Sequence, residues 1–381
     1  MMKIAIVHDW FVTYAGAERV VEQMLNCFPE ADLFSLIDFI PKGKRDFIKN
    51  KPVTTSFLQK MPFIRTKYRS YLALMPFAIE QFDLTKYDLI LSSSHAVAKG
   101  VIVGPDQLHV SYVYSPMRYA WDFQYQYLRE TNLHKGIKGL MAKRLLHKMR
   151  IWDALSANRV DHFITLSDFI KRRIQKAYRR DSVVIAPPVN VEAFQYHLKK
   201  ENFYLAAARL VPYKRVDLIV DAFAKMPDKK LVVIGDGPGM KKIRSKATAN
   251  ITVMGYQPFE VLRDHMQRAK AFLYAAEDDF SIVMIEAQAC GTPSIAYAKG
   301  AALEIVKGMD SDKPNGIFFA HQTAESIIDA VEKFERMGNA IKAENCCANA
   351  EKYKPEVFCE QFYKYVMNQY NLFRETLPQI D

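Results

Sequence analysis

Short apolar stretches alternate with amphipathic ones twice along this chain, and a proline-bearing segment, PPVNVEAFQYHLKK at 187–200, parts the two series. This alternation is the pattern of parallel sheets joined by crossover helices, so the fold class expected is α/β. In the first series it predicts strands at 4–7, 31–36, 88–93, 109–114, 162–167 and 182–187. Helices are expected at 17–28 and 138–155, and another after Ser167, whose hydroxyl suits the N-cap of DFIKRRIQKAY. The second series predicts strands at 203–208, 230–235, 251–255, 271–276 and 293–297, with helices after Lys214, Pro238 and Pro258 and from Ser281. The prolines break the period, which makes 187–200 a linker between a domain over 1–190 and another over 200–355. A chain of 381 residues is long enough for two cores. The aromatic-rich helix expected at 356–373 follows the second domain and is expected to pack back on the first.

Charge is unevenly divided. Residues 1–190 hold 28 Lys and Arg against 17 Asp and Glu, whereas 191–381 hold 25 of each. Such asymmetry points to an anionic partner for the first half, either nucleic acid or a membrane surface. The cations fall among hydrophobic residues, as in SFLQKMPFIRTKYRSYLALMPF, rather than in a polar groove, which disfavours nucleic acid. A second acid-free stretch, 133–152, carries Lys135, Lys138, Lys143, Arg144, Lys148 and Arg150 beside Ile137, Leu140, Met141, Leu145 and Met149. A basic amphipathic surface of this kind fits an anionic membrane; the same apolar residues would also serve a core-facing helix with solvated lysines. No uninterrupted apolar run of about 18 residues appears, so no membrane-spanning helix is expected. The start, KIAIVHD, reads as a strand without a leader. Five cysteines without C-x-x-C spacing suggest neither a zinc site nor a disulfide frame, and with the start imply a cytoplasmic location.

The chemistry-bearing residues cluster where strands end. AEDDFSIVMIEAQACG, 276–291, places Asp278 in a turn and Glu286 in the following helix, with seven residues between. Two carboxylates at the carboxyl ends of parallel strands can accept hydrogen bonds from a hydroxyl-rich ligand; they serve equally as a surface turn and a helix salt bridge. After the first strand, Gly16 opens a helix at which a phosphate could approach backbone N–H groups, although an ordinary glycine turn looks the same. In AARLVPYKRVD, Arg209 follows a strand and Lys214 precedes a helix, a pair able to clamp a diphosphate or to form a solvated basic turn. VVIGDGPGM sets Gly235 and Gly237 in a tight strand–helix turn that a base or ribose could approach.

With these residues in their order, the chain resembles the retaining glycosyltransferases of family 4. The likeness rests on HDWFVTYAGAERV, SSSHAVAKG, SYVYSPMRYAWD, ARLVPYKR, GDGP and EDDFSIVMIEAQACGTP, and spans nearly the whole chain. It is nearest to the bacterial mannosyltransferase-type enzymes of O-antigen and exopolysaccharide assembly. The resemblance implies the GT-B fold, two Rossmann-like domains facing across a cleft. It also implies roles. Asp278 and Glu286 would stand for the two glutamates of the Glu-x7-Glu motif that contact the donor hexose and ribose, with Phe280, Ser281 and Ile282 in the donor pocket between them. Arg209 and Lys214 would hold the donor diphosphate, Gly16 would give its N–H to the distal phosphate, and His95 would lie near the reacting sugar carbon. Asp278 is one methylene shorter than the family's Glu, Ser281 replaces a usual Gly, and Ala301 replaces the second Gly of KGG.

The reaction so implied moves a hexose from a nucleotide diphosphate sugar to a hydroxyl of a lipid-linked glycan with retention. It needs no covalent enzyme intermediate, metal or further cofactor, and GDP-mannose is the favoured donor. Three alternatives stay open. A nucleotide-sugar epimerase or dehydrogenase would want G-x-G-x-x-G after the first strand. A nucleic-acid binder would show a steep salt dependence. A family member with a drifted donor site would serve as a non-catalytic partner subunit.

Overall fold

The computed structural model describes residues 2–378 apart from 198, 338 and 339. The chain divides into two compact units, Met1–Pro188 with Phe358–Asp381, and Val189–Val357.

The first unit is built on seven strands: β1 (Ile4–His8), β2 (Asp32–Ser35), β3 (Val53–Thr55), β4 (Leu89–Ser94), β5 (Leu108–Val113), β6 (His162–Thr165) and β7 (Val183–Val184). They pair in the order β3-β2-β1-β4-β5-β6-β7, every pair parallel. All five residues of β1 and all six of β4 and β5 are buried, as expected of strands covered on both faces. Strand order reverses between β1 and β4, where His8 lies opposite Ser93. Ligands of open α/β sheets bind beyond the carboxyl ends of strands at such a reversal.

Helix Gly16–Cys27 buries Val20, Val21, Met24 and Leu25, spaced to form one stripe. Helix Asp168–Tyr178 begins where Ser167 Oγ accepts the Ile170 N–H at 3.3 Å, and buries Ile170, Ile174 and Tyr178. The long helix Gly136–Ser156 is fastened from inside: the buried Lys99 ammonium pairs with the buried Asp153 carboxylate, which also accepts from Trp121 Nε1 (2.7 Å) and Tyr178 OH (2.8 Å). The final helix, Pro355–Thr376, enters this unit through aromatic contacts. Phe358 and Phe362 stack at 5.3 Å, Phe358 meets Tyr112 and Phe362 meets Phe28.

The second unit has six strands: β8 (Tyr204–Ala207), β9 (Leu231–Ile234), β10 (Ile251–Gly255), β11 (Ala271–Tyr274), β12 (Ser294–Tyr297) and β13 (Gly316–Phe319). They run parallel in the order β10-β9-β8-β11-β12-β13, so order reverses between β8 and β11. Alternate residues of β8 enter different cores: Tyr204 and Ala206 pack with Ile219, Val220 and Phe223, and Leu205 and Ala207 with Met266, Met284 and Ile285. Of the span 187–200, Leu198 lies outside the described residues. Its neighbours attach to this unit: the Val189 N–H donates to Tyr353 O (2.7 Å), Phe194 packs edge-on to Phe259, and Lys200 Nζ donates to Gln267 O, Cys290 O and Thr292 Oγ1.

The apolar pattern missed β3 and β13. β3 is three partly exposed residues at a sheet edge, and β13 is four residues behind the polar run KGMDSDKPN. Among the described residues, no helix is long and apolar enough to cross a membrane.

Candidate functional site

Two constellations stand at strand ends, one in each unit. In the second unit, β8 and β11 flank the reversal of strand order, and the residues just past them meet. Lys214 closes a single helical turn, Pro212–Lys214, and its ammonium pairs with the Asp278 carboxylate. Tyr274, the last residue of β11, joins both: its hydroxyl accepts from Lys214 Nζ at 2.9 Å and donates to Asp278 Oδ2 at 2.6 Å. Burial works against the Lys214 charge, but Asp278 and Tyr274 outweigh it and hold the ammonium above its ordinary pKa. Burial and the Asp278 charge raise the Tyr274 phenol, so at neutral pH the cluster is ammonium, phenol and carboxylate.

Asp278 is fixed through its backbone as well. Its carbonyl accepts the Ala301 N–H at 3.0 Å, and Gly300 (φ 68°) comes so close that a Cβ there would stand 2.6 Å from that oxygen. The helix Ile282–Ala289 begins next, with Ser281 at its N-cap position and Glu286 buried one turn inside. Ser281 Oγ is buried and caps nothing; among the described residues it has no hydrogen-bond partner. Phe280 packs edge-on to Tyr353, with ring centres 5.8 Å apart. Arg209 is exposed just beyond β8, and among the described residues no carboxylate pairs with it.

The glycines after β9 serve close backbone approach. A Cβ on Gly235 (φ 137°) would lie 1.9 Å from Ala208 O, and one on Gly237 (φ 153°) 2.7 Å from Leu210 O. Together they press the 235–239 turn onto the Ala208–Leu210 segment, which carries Arg209.

In the first unit, β1 ends on His8 and is followed by the fully buried Asp9. The Asp9 carboxylate accepts four consecutive backbone N–H groups, from His95, Ala96, Val97 and Ala98, at 2.6–2.9 Å. Burial alone would raise the Asp9 carboxyl, but His95, His8 and these N–H groups hold it below the usual range. His95 follows β4, with Nδ1 3.1 Å from Asp9 Oδ2 and its ring edge-on to Trp10 at 4.4 Å. Burial lowers the His95 pKa despite the opposing pull of Asp9, so the ring is neutral at pH 7. Behind it, His8 Nε2 lies 3.5 Å from Glu18 Oε1, and the Ser93 hydroxyl contacts the Tyr114 hydroxyl at 2.9 Å. Gly16 is the first residue of its helix, whose opening is closed by Glu18 accepting the Ala15 N–H at 2.9 Å.

The structure thus joins Lys214 to Asp278 and leaves Arg209 outside that contact. Sequence reasoning overlooked Tyr274, which reads as a core residue of FLYAA, and Asp9, whose partners lie more than 80 positions away. The only signal for Tyr274 was its place at a strand end four residues before Asp278.

Two parallel α/β units, each with a reversal of strand order, constitute the GT-B fold. Residues 189–353, nearly the whole of the second unit, match the family of glycosyl transferases group 1. An uncharacterized glycosyltransferase of Methanocaldococcus jannaschii is 29% identical over 209 residues, 52% of this chain and 58% of that protein. A GDP-mannose-dependent monoacylated alpha-(1-6)-phosphatidylinositol monomannoside mannosyltransferase of Corynebacterium glutamicum is 31% identical over 129 residues, 28% of this chain and 34% of that one. The chain therefore spans less than two thirds of the length of these relatives. HepE of Anabaena, solved in complex with UDP, shares the fold with a TM-score of 0.69 at 17% identity, covering 96% of this chain and 100% of that one.

Proposed function

We propose that the protein is a retaining glycosyltransferase that moves a hexose, mannose first among candidates, from a nucleotide diphosphate sugar to a hydroxyl of a lipid-linked glycan. The observation that carries this reading is the Lys214–Tyr274–Asp278 cluster, set at the reversal of strand order in a domain that matches glycosyl transferases group 1. A cation and a carboxylate side by side suit a ligand that is diphosphate at one end and hexose at the other. GDP-mannose is favoured because the C. glutamicum relative depends on it.

In this mechanism the second unit holds the donor. Arg209 and Lys214 neutralise the diphosphate as the bond to the sugar carbon breaks, which is the largest electrostatic demand of the reaction. They take the place of a divalent ion, so neither metal nor other cofactor is invoked. Asp278 and Glu286 accept hydroxyls of hexose and ribose, and Ser281 Oγ, buried beside Phe280 and Ile282, gains a partner when the hexose is present. The 235–239 turn, with Gly235 and Gly237, lines the nucleotide side. The acceptor oxygen attacks from the face the diphosphate leaves and passes its proton to a diphosphate oxygen, which gives retention. For His95 and Gly16 of the first unit we keep the roles that the resemblance implies, a hydrogen bond to the sugar from the neutral ring and an N–H to phosphate.

The acceptor side is proposed to work at the inner face of an anionic membrane. Along helix Gly136–Ser156, Ile137, Met141, Arg144, Lys148, Ile151 and Leu155 recur at intervals of four and three, and all are exposed. The buried face is opposite, at Leu146, Met149 and Asp153. An apolar stripe with cations at its middle fits a headgroup plane.

One observation favours a second reading. Asp278 already occupies Lys214, the arrangement expected if the donor site had drifted and the protein were a non-catalytic partner subunit. A thermal-shift panel of GDP, UDP, dTDP and their sugars on wild type and Lys214→Ala separates the two. A ligand that binds only the folded state raises its apparent stability. Stabilisation by one nucleotide family, lost in Lys214→Ala, supports the enzyme; a flat panel supports the drifted subunit.

A further inference from the structure

Tyr274 carries a hydroxyl that packing does not call for. Its ring is 3% exposed at the end of β11 and lies parallel to Phe272, and a phenylalanine would bury nearly the same apolar surface. The hydroxyl instead sits between two charges, 2.9 Å from Lys214 Nζ and 2.6 Å from Asp278 Oδ2. A buried tyrosine hydroxyl needs a partner. Here both partners are the groups assigned to the donor.

We infer that Tyr274 is a positioning residue of the donor site, which keeps the Asp278 carboxylate hydrogen-bonded while Lys214 turns to a diphosphate. This role presupposes the donor reading above and goes beyond it, since the cluster must then exist in two states. Without ligand, Lys214 pairs with Asp278. With a diphosphate present, the ammonium is drawn to phosphate, and a buried carboxylate stripped of a donor costs free energy. The phenol lowers that cost because its O–H continues to donate to Oδ2 whichever way the ammonium points. Asp278 cannot follow Lys214 by a backbone shift, because Ala301 and Gly300 hold its main chain. Being one methylene shorter than Glu, it has little reach of its own. A rigid phenol rooted in the sheet supplies the missing constraint.

A double-mutant cycle on nucleoside diphosphate binding tests this, using the nucleotide that stabilises the wild type. Tyr274→Phe is expected to weaken binding about tenfold, the scale of a lost hydrogen bond to a charged group. In an Asp278→Asn background the same change is expected to cost little, because a neutral amide neither holds the ammonium nor suffers when it leaves. Unfolding midpoints are read alongside, with Tyr274→Met as a second variant lacking the hydroxyl. An equal loss in both backgrounds, or wild-type binding by Tyr274→Phe, overturns the positioning role and leaves the donor reading intact. A wild type that binds no nucleoside diphosphate overturns the donor reading, and this role with it.

Discussion

Asp9 holds His95 at two points: its Oδ2 accepts the His95 backbone N–H at 2.6 Å and lies 3.1 Å from the ring Nδ1. Three more N–H groups, of Ala96, Val97 and Ala98, converge on the same carboxylate. A fully buried carboxylate is thus held by backbone N–H groups and flanked by His95 and His8. The turn that carries His95 is folded around this one side chain. Asp9 therefore acts on the candidate site through position.

Asp9→Asn keeps the shape and turns one acceptor into a donor that faces other donors. We expect a loss of about 2 kcal/mol at pH 7, the scale of hydrogen bonds to a charged group. The pH dependence gives a second check. The folded-state pKa is held below the ordinary 3.8, so the stabilisation is present above that value and fades as pH falls through the folded one. Urea unfolding at pH 7 and pH 3 should show the gap between wild type and variant narrowing in acid; a constant gap would contradict the assignment.

His109 adds a titration of the same sign in a higher pH window. It is buried in β5, with Nδ1 3.0 Å from Arg159 O and Nε2 2.8 Å from Ser92 Oγ. Burial pushes its pKa down to about 4. The unfolded chain takes up this proton near the ordinary 6.5, so stability falls as pH drops from 6.5 towards 4 and levels off below. The shift corresponds to roughly 3 kcal/mol. His109→Gln should reduce the slope of unfolding free energy against pH by about one proton in that window, leaving the contributions of His95 and His162. An unchanged slope would mean that His109 is charged in the folded protein.

What could be read from the sequence depended on range. Strands such as KIAIVHD and AFLYAA announce themselves because burial on both faces demands an unbroken apolar run, and Ser167 announces its helix because capping is local. Asp278 and Glu286 were legible for the same reason, being eight positions apart on one strand–turn–helix segment. Asp9 and His95, and Tyr274 and Lys214, were not legible as pairs. Each is brought together by the parallel register of β1 with β4 or of β8 with β11, and nothing local marks it. β3 and β13 were missed where strands are three and four residues long and leave too few positions for a period to show.

Gly300→Ala probes the backbone that fixes Asp278. Its φ of 68° disfavours any side chain, and the new Cβ would lie 2.6 Å from Asp278 O and 2.9 Å from Asp278 N, main-chain atoms that cannot swing aside. We expect a loss of roughly 2–4 kcal/mol from strain and overpacking together. Nucleotide-dependent stabilisation should fall as well, because the relieving movement displaces Asp278. Gly43→Ala is the control, since nothing lies within 4 Å of its Cβ position. Equal thermal midpoints for the two variants would show that the 300 turn does not restrain Asp278.

The stripe on helix Gly136–Ser156 gives the membrane proposal a form that can fail. Ile137, Met141, Ile151 and Leu155 are 80%, 66%, 49% and 61% exposed, large values for apolar side chains on a helix whose other face is already buried. Arg144 and Lys148 lie between them on the same face, so the surface offers both apolar contact and positive charge. Sedimentation with vesicles should therefore show binding to anionic phospholipid, weak binding to zwitterionic phospholipid, and a decline with salt. Arg144→Gln and Lys148→Gln should each weaken anionic binding about fivefold, since a juxtamembrane cation contributes about 1 kcal/mol. Ile137→Ser with Met141→Ser should weaken it at every salt concentration, because apolar insertion is not screened. None of these changes should move the unfolding midpoint appreciably, as the side chains face away from the core held by Lys99 and Asp153. Equal binding to both lipids would refute a charge-selective surface, and absence of binding to either would refute the membrane proposal.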